Sequence, residues 1–169
     1  ARTSAMGVFE ESGQGILPEF VESINSYLDE NDLSDQMSFS KRGDNELLLR
    51  VPDSILFSPG EAYIDEDAKQ ILNGIANVIE KYKGSIKMIY IEGHTDNVPM
   101  NNKVFKSNWE LSTSRAVNVV EMILEASHIE PNKLSAVGYS EFHPIAENDT
   151  PENRSKNRRV DFIIETVND

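Results

Sequence analysis

Leu17, Phe20, Val21, Ile24, Tyr27 and Leu28 recur at three- and four-residue spacing, the repeat of one helix face. The spacing predicts an amphipathic helix that ends before "ENDLSD", with Pro18 tolerated in its first turn. "NELLLRV" follows as a short strand, and "PDSILFSPGEAYI" reads as a structured loop punctuated by two prolines and a glycine. A second helical stripe runs through Ala68, Ile71, Leu72, Ile75, Ile79 and Tyr82, with Gly84 expected as its C-terminal cap. "IKMIYIEG" is almost continuously apolar, which suits a strand covered on both faces. The third helix starts near Ser107. Ser107 and Glu110 have the spacing of a capping box, and Ala116, Val119, Val120, Ile123 and Leu124 supply the buried stripe. "KLSAVGYS" is another strand and "EFHPIAENDTPENRSKN" a long polar loop. "RRVDFIIETV" closes the chain as a strand with Val160, Phe162 and Ile164 on one face.

Strands that alternate with single helices predict an α/β domain of α+β two-layer type, its helices packed on a mixed four-stranded sheet. The first helix is an extra element. Residues 1–15 are polar and without periodicity and read as a flexible segment, 16–45 as helix and linker, and 46–169 as the main domain. The one-sided stripe of the first helix predicts that it docks on that domain, by a burial small enough to be reversible. No window nears the roughly 18 apolar residues of a membrane span, and the opening stretch lacks the apolar centre of a signal peptide.

The chain holds 29 acidic against 16 basic residues, a formal net charge of −13. That balance argues against nucleic acid, whose phosphates reward a basic face. It also means that any anion must be captured by a local cation working against the global field. Cysteine is absent, so disulfides and thiolate-bound metals are excluded.

The densest chemistry lies in "GHTDNVPMNNKVFKSNWELSTSR". Asp96 follows a strand end, where ligands collect in alternating α/β structures, and Arg115 sits two turns into the next helix, at the border of its buried stripe. Two outcomes are open. The carboxylate and guanidinium can neutralise each other, or be held apart to receive a zwitterion such as an amino-acid headgroup.

"YIEGHTDNVP", "SNWELSTSRA", "LSAVGYSEFHPIAENDTPENR" and "NRRVDFIIE" resemble, in order and spacing, the OmpA-like peptidoglycan-binding domain over about residues 46 to 165. "SNWELS", the proline-bearing loop after "HTD" and "VPDSILFSPGEA" are most similar to its flagellar stator branch, the B subunits MotB and sodium-type PomB. The resemblance implies an extra-enzymatic role: non-covalent binding of peptidoglycan through the diaminopimelate of its stem peptide, with no cofactor. It places Asp96 on the ligand's ammonium and Arg115 on its carboxylate, with Asn108, Leu111, Ser112, Arg158 and Arg159 completing the site. It further implies a periplasmic domain of a single-pass inner-membrane protein, a homodimer, and a stator A subunit as channel partner met through a membrane helix outside this sequence. Two positions depart from the pattern: the loop "NVPMNNKVFKS" is longer than in many relatives, and Asn153 stands where glycine is common before the arginine matched by Arg154.

Other candidates are less specific. His94 is either a metal ligand or base, or a satisfied structural histidine; His128 and His143, the remaining histidines, fall in separate elements. No nucleophile elbow accompanies "GHTD". With so many acidic residues, close carboxylate pairs of the kind a glycosidase uses are expected by chance. Trp109, the one tryptophan, either stacks on a sugar or packs against the preceding loop. On a strand Arg158 and Arg159 point to opposite faces, so one pocket can take only one of them.

Overall fold

The computed structural model describes residues 16–167; residues 1–15, read above as flexible, and 168–169 lie outside the described residues. Helix α1 (Pro18–Glu30) precedes a hairpin of β1 (Ser38–Arg42) and β2 (Glu46–Pro52). Then come the single-turn α2 (Asp53–Leu56), α3 (Glu66–Lys81), β3 (Ile86–His94), α4 (Asn108–Ala126), β4 (Leu134–Gly138), α5 (Pro151–Asn157) and β5 (Arg159–Thr166). The sheet order is β1-β2-β5-β3-β4, antiparallel throughout except for the parallel pair β3 and β4, which α4 connects.

The predicted two-layer α+β architecture is present, with five strands rather than four. The additional strand, β1, lies in the stretch read as linker. It is an edge strand of mostly exposed polar residues, so it carries no apolar alternation to betray it. The apolar run of β3 is not covered on both faces: Ile86, Ile89 and Ile91 face the helices, while Lys87, Met88, Tyr90 and Glu92 are exposed or partly exposed. Central β5 is the strand buried on both sides. Its register explains the core, because Phe162 lies between Leu49 and Ile91, and Ile164 between Leu47 and Ile89, all under the helices.

Local chemistry sets the helix ends. Asp65 caps α3 by accepting from the Ala68 N–H. Gly84 is not the C-terminal cap; α3 closes at Tyr82, whose N–H donates to the Ile79 carbonyl, and Gly84 lies in the following 3-10 turn. Helix α5 falls within the segment read as a polar loop. Its seven residues have no apolar stripe, but Thr150 caps it through the Asn153 N–H and Pro151 occupies its first turn.

Helix α1 docks as its stripe predicts. Phe20, Ile24 and Leu28 are buried against α3, and Phe20 stacks on Tyr82 with ring centroids 4.8 Å apart. The Tyr27 hydroxyl donates to the Ile71 carbonyl at 3.1 Å.

Candidate functional site

Helix α4 is laid tightly on the parallel strand pair, and glycine makes this possible. A Cβ on Gly93 would come within 2.2 Å of the Ser112 carbonyl oxygen, and one on Gly138 within 2.1 Å of Thr113 Oγ1. No side chain fits at either place. This close approach brings the first turns of α4 beside the C-terminal end of β3, where the chain leaves through Thr95 and Asp96. Ser107 caps α4 through the Glu110 N–H at 3.2 Å, while Glu110 reaches back to the Lys106 N–H at 3.0 Å, a capping box shifted by one residue from the expected form.

The exit loop is clamped to the helix. Asn108 donates from Nδ2 to the carbonyls of Asp96 and Val98, at 3.4 and 3.0 Å, and Asp96 Oδ1 accepts the Val98 N–H at 3.0 Å. Between this loop, the α2 segment and α4 lies a cleft of about 320 Å³. Phe57, Met100 and Leu111 form its apolar wall, and Asp53, Asp96, Arg115 and Arg158 converge on it.

These four charges form an alternating chain. Arg158 Nη1 meets Asp96 Oδ2 at 2.7 Å, Arg158 Nε lies 3.6 Å from Asp53 Oδ2, and Arg115 Nη1 donates to the same Asp53 oxygen at 3.0 Å. Asp96 and Arg115 therefore do not neutralise each other; each has its own partner. Arg115 also donates to the Glu61 and Ser58 carbonyls at 2.8 and 3.3 Å, and its guanidinium lies 4.6 Å over the Phe57 ring. Burial disfavours its charged form and pulls its pKa down, an effect opposed by Asp53. The side chain of Arg158 is 37% exposed and that of Arg115 only 4%, so of the four charges Arg158 is the one most open to solvent.

The remaining expected site residues separate. Asn108 and Leu111 line the cleft with Asp96, Arg115 and Arg158. Ser112 is fully buried behind it, its Oγ accepting the Ser140 N–H at 3.0 Å, and so holds the segment after β4 rather than facing a ligand. Arg159 lies off the cleft. It points to the opposite sheet face, where it binds Asp161 at 3.1 Å and the carbonyls of Asn157 and His143. Asp53 is the residue that sequence reasoning missed. Its one signal was a carboxylate in the first turn of the short helix "DSIL".

His94 belongs to that opposite face. Its Nε2 is 3.0 Å from Glu92, its ring stacks on Tyr139, and its Nδ1 is buried with no hydrogen-bond partner among the described residues. One ligand atom from each of Glu92, His94 and Asp161 lies within 4.8 Å of the others. Arg50 and Arg159 nevertheless already occupy the Asp161 carboxylate, and two guanidiniums at that point repel a cation. His94 differs from a fully satisfied structural histidine at its Nδ1. Trp109 is 52% exposed, lies beside Val104 and Phe105 of the preceding loop, and stacks its ring on Phe142.

Residues 56–158 match the family model described as the OmpA family. Motility protein B of Bacillus subtilis is 37% identical over 141 residues, covering 83% of this chain and 53% of its own. Motility protein B of Helicobacter pylori strain J99 is 36% identical over 124 residues, covering 73% of this chain and 48% of its own. The chain thus spans about half the length of these curated relatives. Among solved structures, a MotB-like protein of Desulfovibrio vulgaris superposes with a TM-score of 0.80 at 32% identity, covering 89% of this chain and 91% of that one. The periplasmic domain of Helicobacter pylori MotB superposes with a TM-score of 0.68 at 32% identity, covering 76% and 88%. With the family model spanning most of the domain and the MotB periplasmic domains sharing its fold, the chain belongs to the OmpA family.

Proposed function

We propose that this domain binds peptidoglycan non-covalently through a zwitterionic stem-peptide residue of the diaminopimelate type, and thereby anchors a flagellar stator to the cell wall. The observation that carries the reading is the alternating chain Asp96, Arg158, Asp53, Arg115 at the cleft. A zwitterion can enter it by partner exchange. Its ammonium takes the place of Arg158 on Asp96, and its carboxylate receives the released Arg158 together with the remaining N–H groups of Arg115. Net charge is conserved in the exchange, and each ionic group of the ligand gains a partner as it leaves water. The Phe57, Met100 and Leu111 wall holds the ligand's methylene stem. Similarity to Motility protein B supports the stator context, and the proposal extends to a periplasmic location, an inner-membrane anchor, a stator A partner and a homodimer.

The test is co-sedimentation with purified sacculi. Asp96→Asn keeps the acceptor for Val98 N–H while removing the charge, and is expected to weaken binding by about 2 to 5 kcal/mol. Wild-type protein should sediment and release no soluble fragments, whereas a peptidoglycan hydrolase would release them. Asp96→Asn sedimenting like wild type, with its thermal transition unchanged, would overturn the assignment.

A further inference from the structure

Helix α2 and the loop after it supply every hydrogen bond that the Arg115 side chain makes among the described residues. Asp53 accepts from Nη1 at 3.0 Å, the Ser58 and Glu61 carbonyls accept from Nη2 and Nε, and the Phe57 ring lies against the guanidinium. Of these partners only Asp53 carries a charge, and the same oxygen, Oδ2, also lies 3.6 Å from Arg158 Nε. We propose that Asp53 is a specificity-determining residue of the cleft: by offsetting one of the two guanidiniums, it leaves a single positive charge for the ligand's acidic end and so restricts the cleft to ligands whose ionic groups balance. The inference rests on the peptidoglycan reading above and adds to it the residue that sets the ligand's charge.

The fold places this carboxylate by main chain as well as side chain. Strands β2 and β5 pair as far as Pro52 and Arg159, and just past that pair the Asp53 N–H donates to the Arg158 carbonyl at 3.0 Å. The Asp53 carbonyl accepts the Phe57 N–H at 2.8 Å, which closes α2 and sets the ring beside Arg115. Neutral carbonyls already orient Arg115, so orientation alone does not call for a charge at position 53. The Asp53 side chain is only 12% exposed, and its charge therefore acts through little water. Burial pulls the Arg115 pKa down, the Arg158 charge adds to that, and Asp53 opposes both.

Selectivity follows from the sum of these charges. Once a ligand ammonium sits on Asp96, Arg115 and Arg158 face Asp53 alone, and one positive charge is left over. One ligand carboxylate cancels it. A carboxamide in the same place leaves it uncancelled, and a ligand without the ammonium leaves Asp96 to compete for Arg158.

The experiment uses a stem tripeptide ending in diaminopimelate with its main-chain carboxyl blocked, in three forms: far-end ammonium and carboxylate both free, carboxylate amidated, or ammonium acetylated. Titration calorimetry gives the three affinities. Wild type should bind the doubly free form at least about tenfold tighter than either of the others. Asp53→Asn keeps an acceptor for Arg115 and should move the two blocked forms in opposite directions, the amidated peptide about tenfold weaker and the acetylated one about tenfold tighter, with the doubly free form changing least. A purely structural Asp53 would weaken all three by one common factor; that result, or unchanged affinities, would overturn the proposal. Arg158→Gln changes the charge the other way and should favour the amidated form, and adding Asp53→Asn to it should restore the wild-type order of preference. This double variant, balanced in charge, carries the test if Asp53→Asn alone does not fold, and an order left unrestored would equally overturn the proposal. If wild type binds none of the three peptides, the peptidoglycan reading falls as well. If wild type prefers the doubly free form and the variants shift all three alike, only the role of Asp53 falls.

Discussion

Arg158 and Arg159 are neighbours in the chain and belong to two charge clusters with opposite purposes. Arg158 turns to the helix side and joins Asp96, Asp53 and Arg115 at the cleft. Arg159 turns to the other sheet face, where Asp161 receives Arg50 through two hydrogen bonds of 2.9 Å and Arg159 through one of 3.1 Å. The sheet register imposes the second cluster, since Asp161 lies directly across from Arg50 on β2 and Glu92 on β3. There the geometry is closed: Asp161 is 2% exposed, and Arg159 spends its remaining donors on backbone carbonyls. In the cleft Arg158 is 37% exposed, and its pairs with Asp96 and Asp53 open to solvent. The same residue types therefore hold a fold together where guanidiniums are pinned on a buried carboxylate and backbone carbonyls, and offer a binding site where the pair is half-exposed.

The largest effect should come from breaking the closed cluster. Asp161→Ala leaves Arg50 and Arg159 without a counter-charge between β2, β5 and β3, and should cost about 3 to 5 kcal/mol in urea unfolding. Whatever fraction remains folded should still bind sacculi. A loss under about 1 kcal/mol would mean that the network is as weak as a surface pair.

Arg115→Ala should fall between the clusters. The buried bonds from Arg115 to Asp53, Glu61 and Ser58 tie the fold as well as the cleft. Stability should drop by about 2 to 3 kcal/mol, and sacculus binding should be lost as well. Arg158→Ala should show the functional loss almost alone. Its half-open pair is worth about 1 kcal/mol or less to the fold, while binding should fall at least about tenfold. Equal stability losses for the two variants would erase the distinction between anchor and exchangeable arginine.

What the sequence disclosed about this contrast follows from range. The Ser107 cap and the opposed directions of Arg158 and Arg159 depend on residues a few positions apart, and local spacing revealed both. Which arginine faces the cleft depends on which sheet face the helices cover, and that is set by the pairing of Leu49 and Ile91 with Phe162. No local pattern contains it. Asp96 and Arg115 were legible as charges at a strand end and a helix border, yet their partners come from 62 residues away in each case. Asp53 stayed hidden for that reason. The polar β1 and α5 were missed because their stability comes from edge pairing and capping rather than from an apolar stripe.

The smallest effect belongs to a surface pair that serves neither cluster and marks the floor of the comparison. Glu80, near the end of α3, accepts the backbone N–H of His128 in the connection after α4. That N–H is the chief reason its carboxyl is held below the usual carboxylate range, with the His128 and Lys83 charges adding to it and partial desolvation opposing. A depressed carboxyl stabilises the fold above its unfolded-state value, about 4.3, and that contribution is lost as pH falls through the lower folded-state value. Glu80→Gln should therefore unfold at slightly lower urea than wild type at pH 7, and the gap should close by pH 3. A gap of the same size at both pH values would show that the carboxylate's charge contributes nothing. A gap approaching that of Asp161→Ala would show that burial is not what separates the closed cluster from the surface.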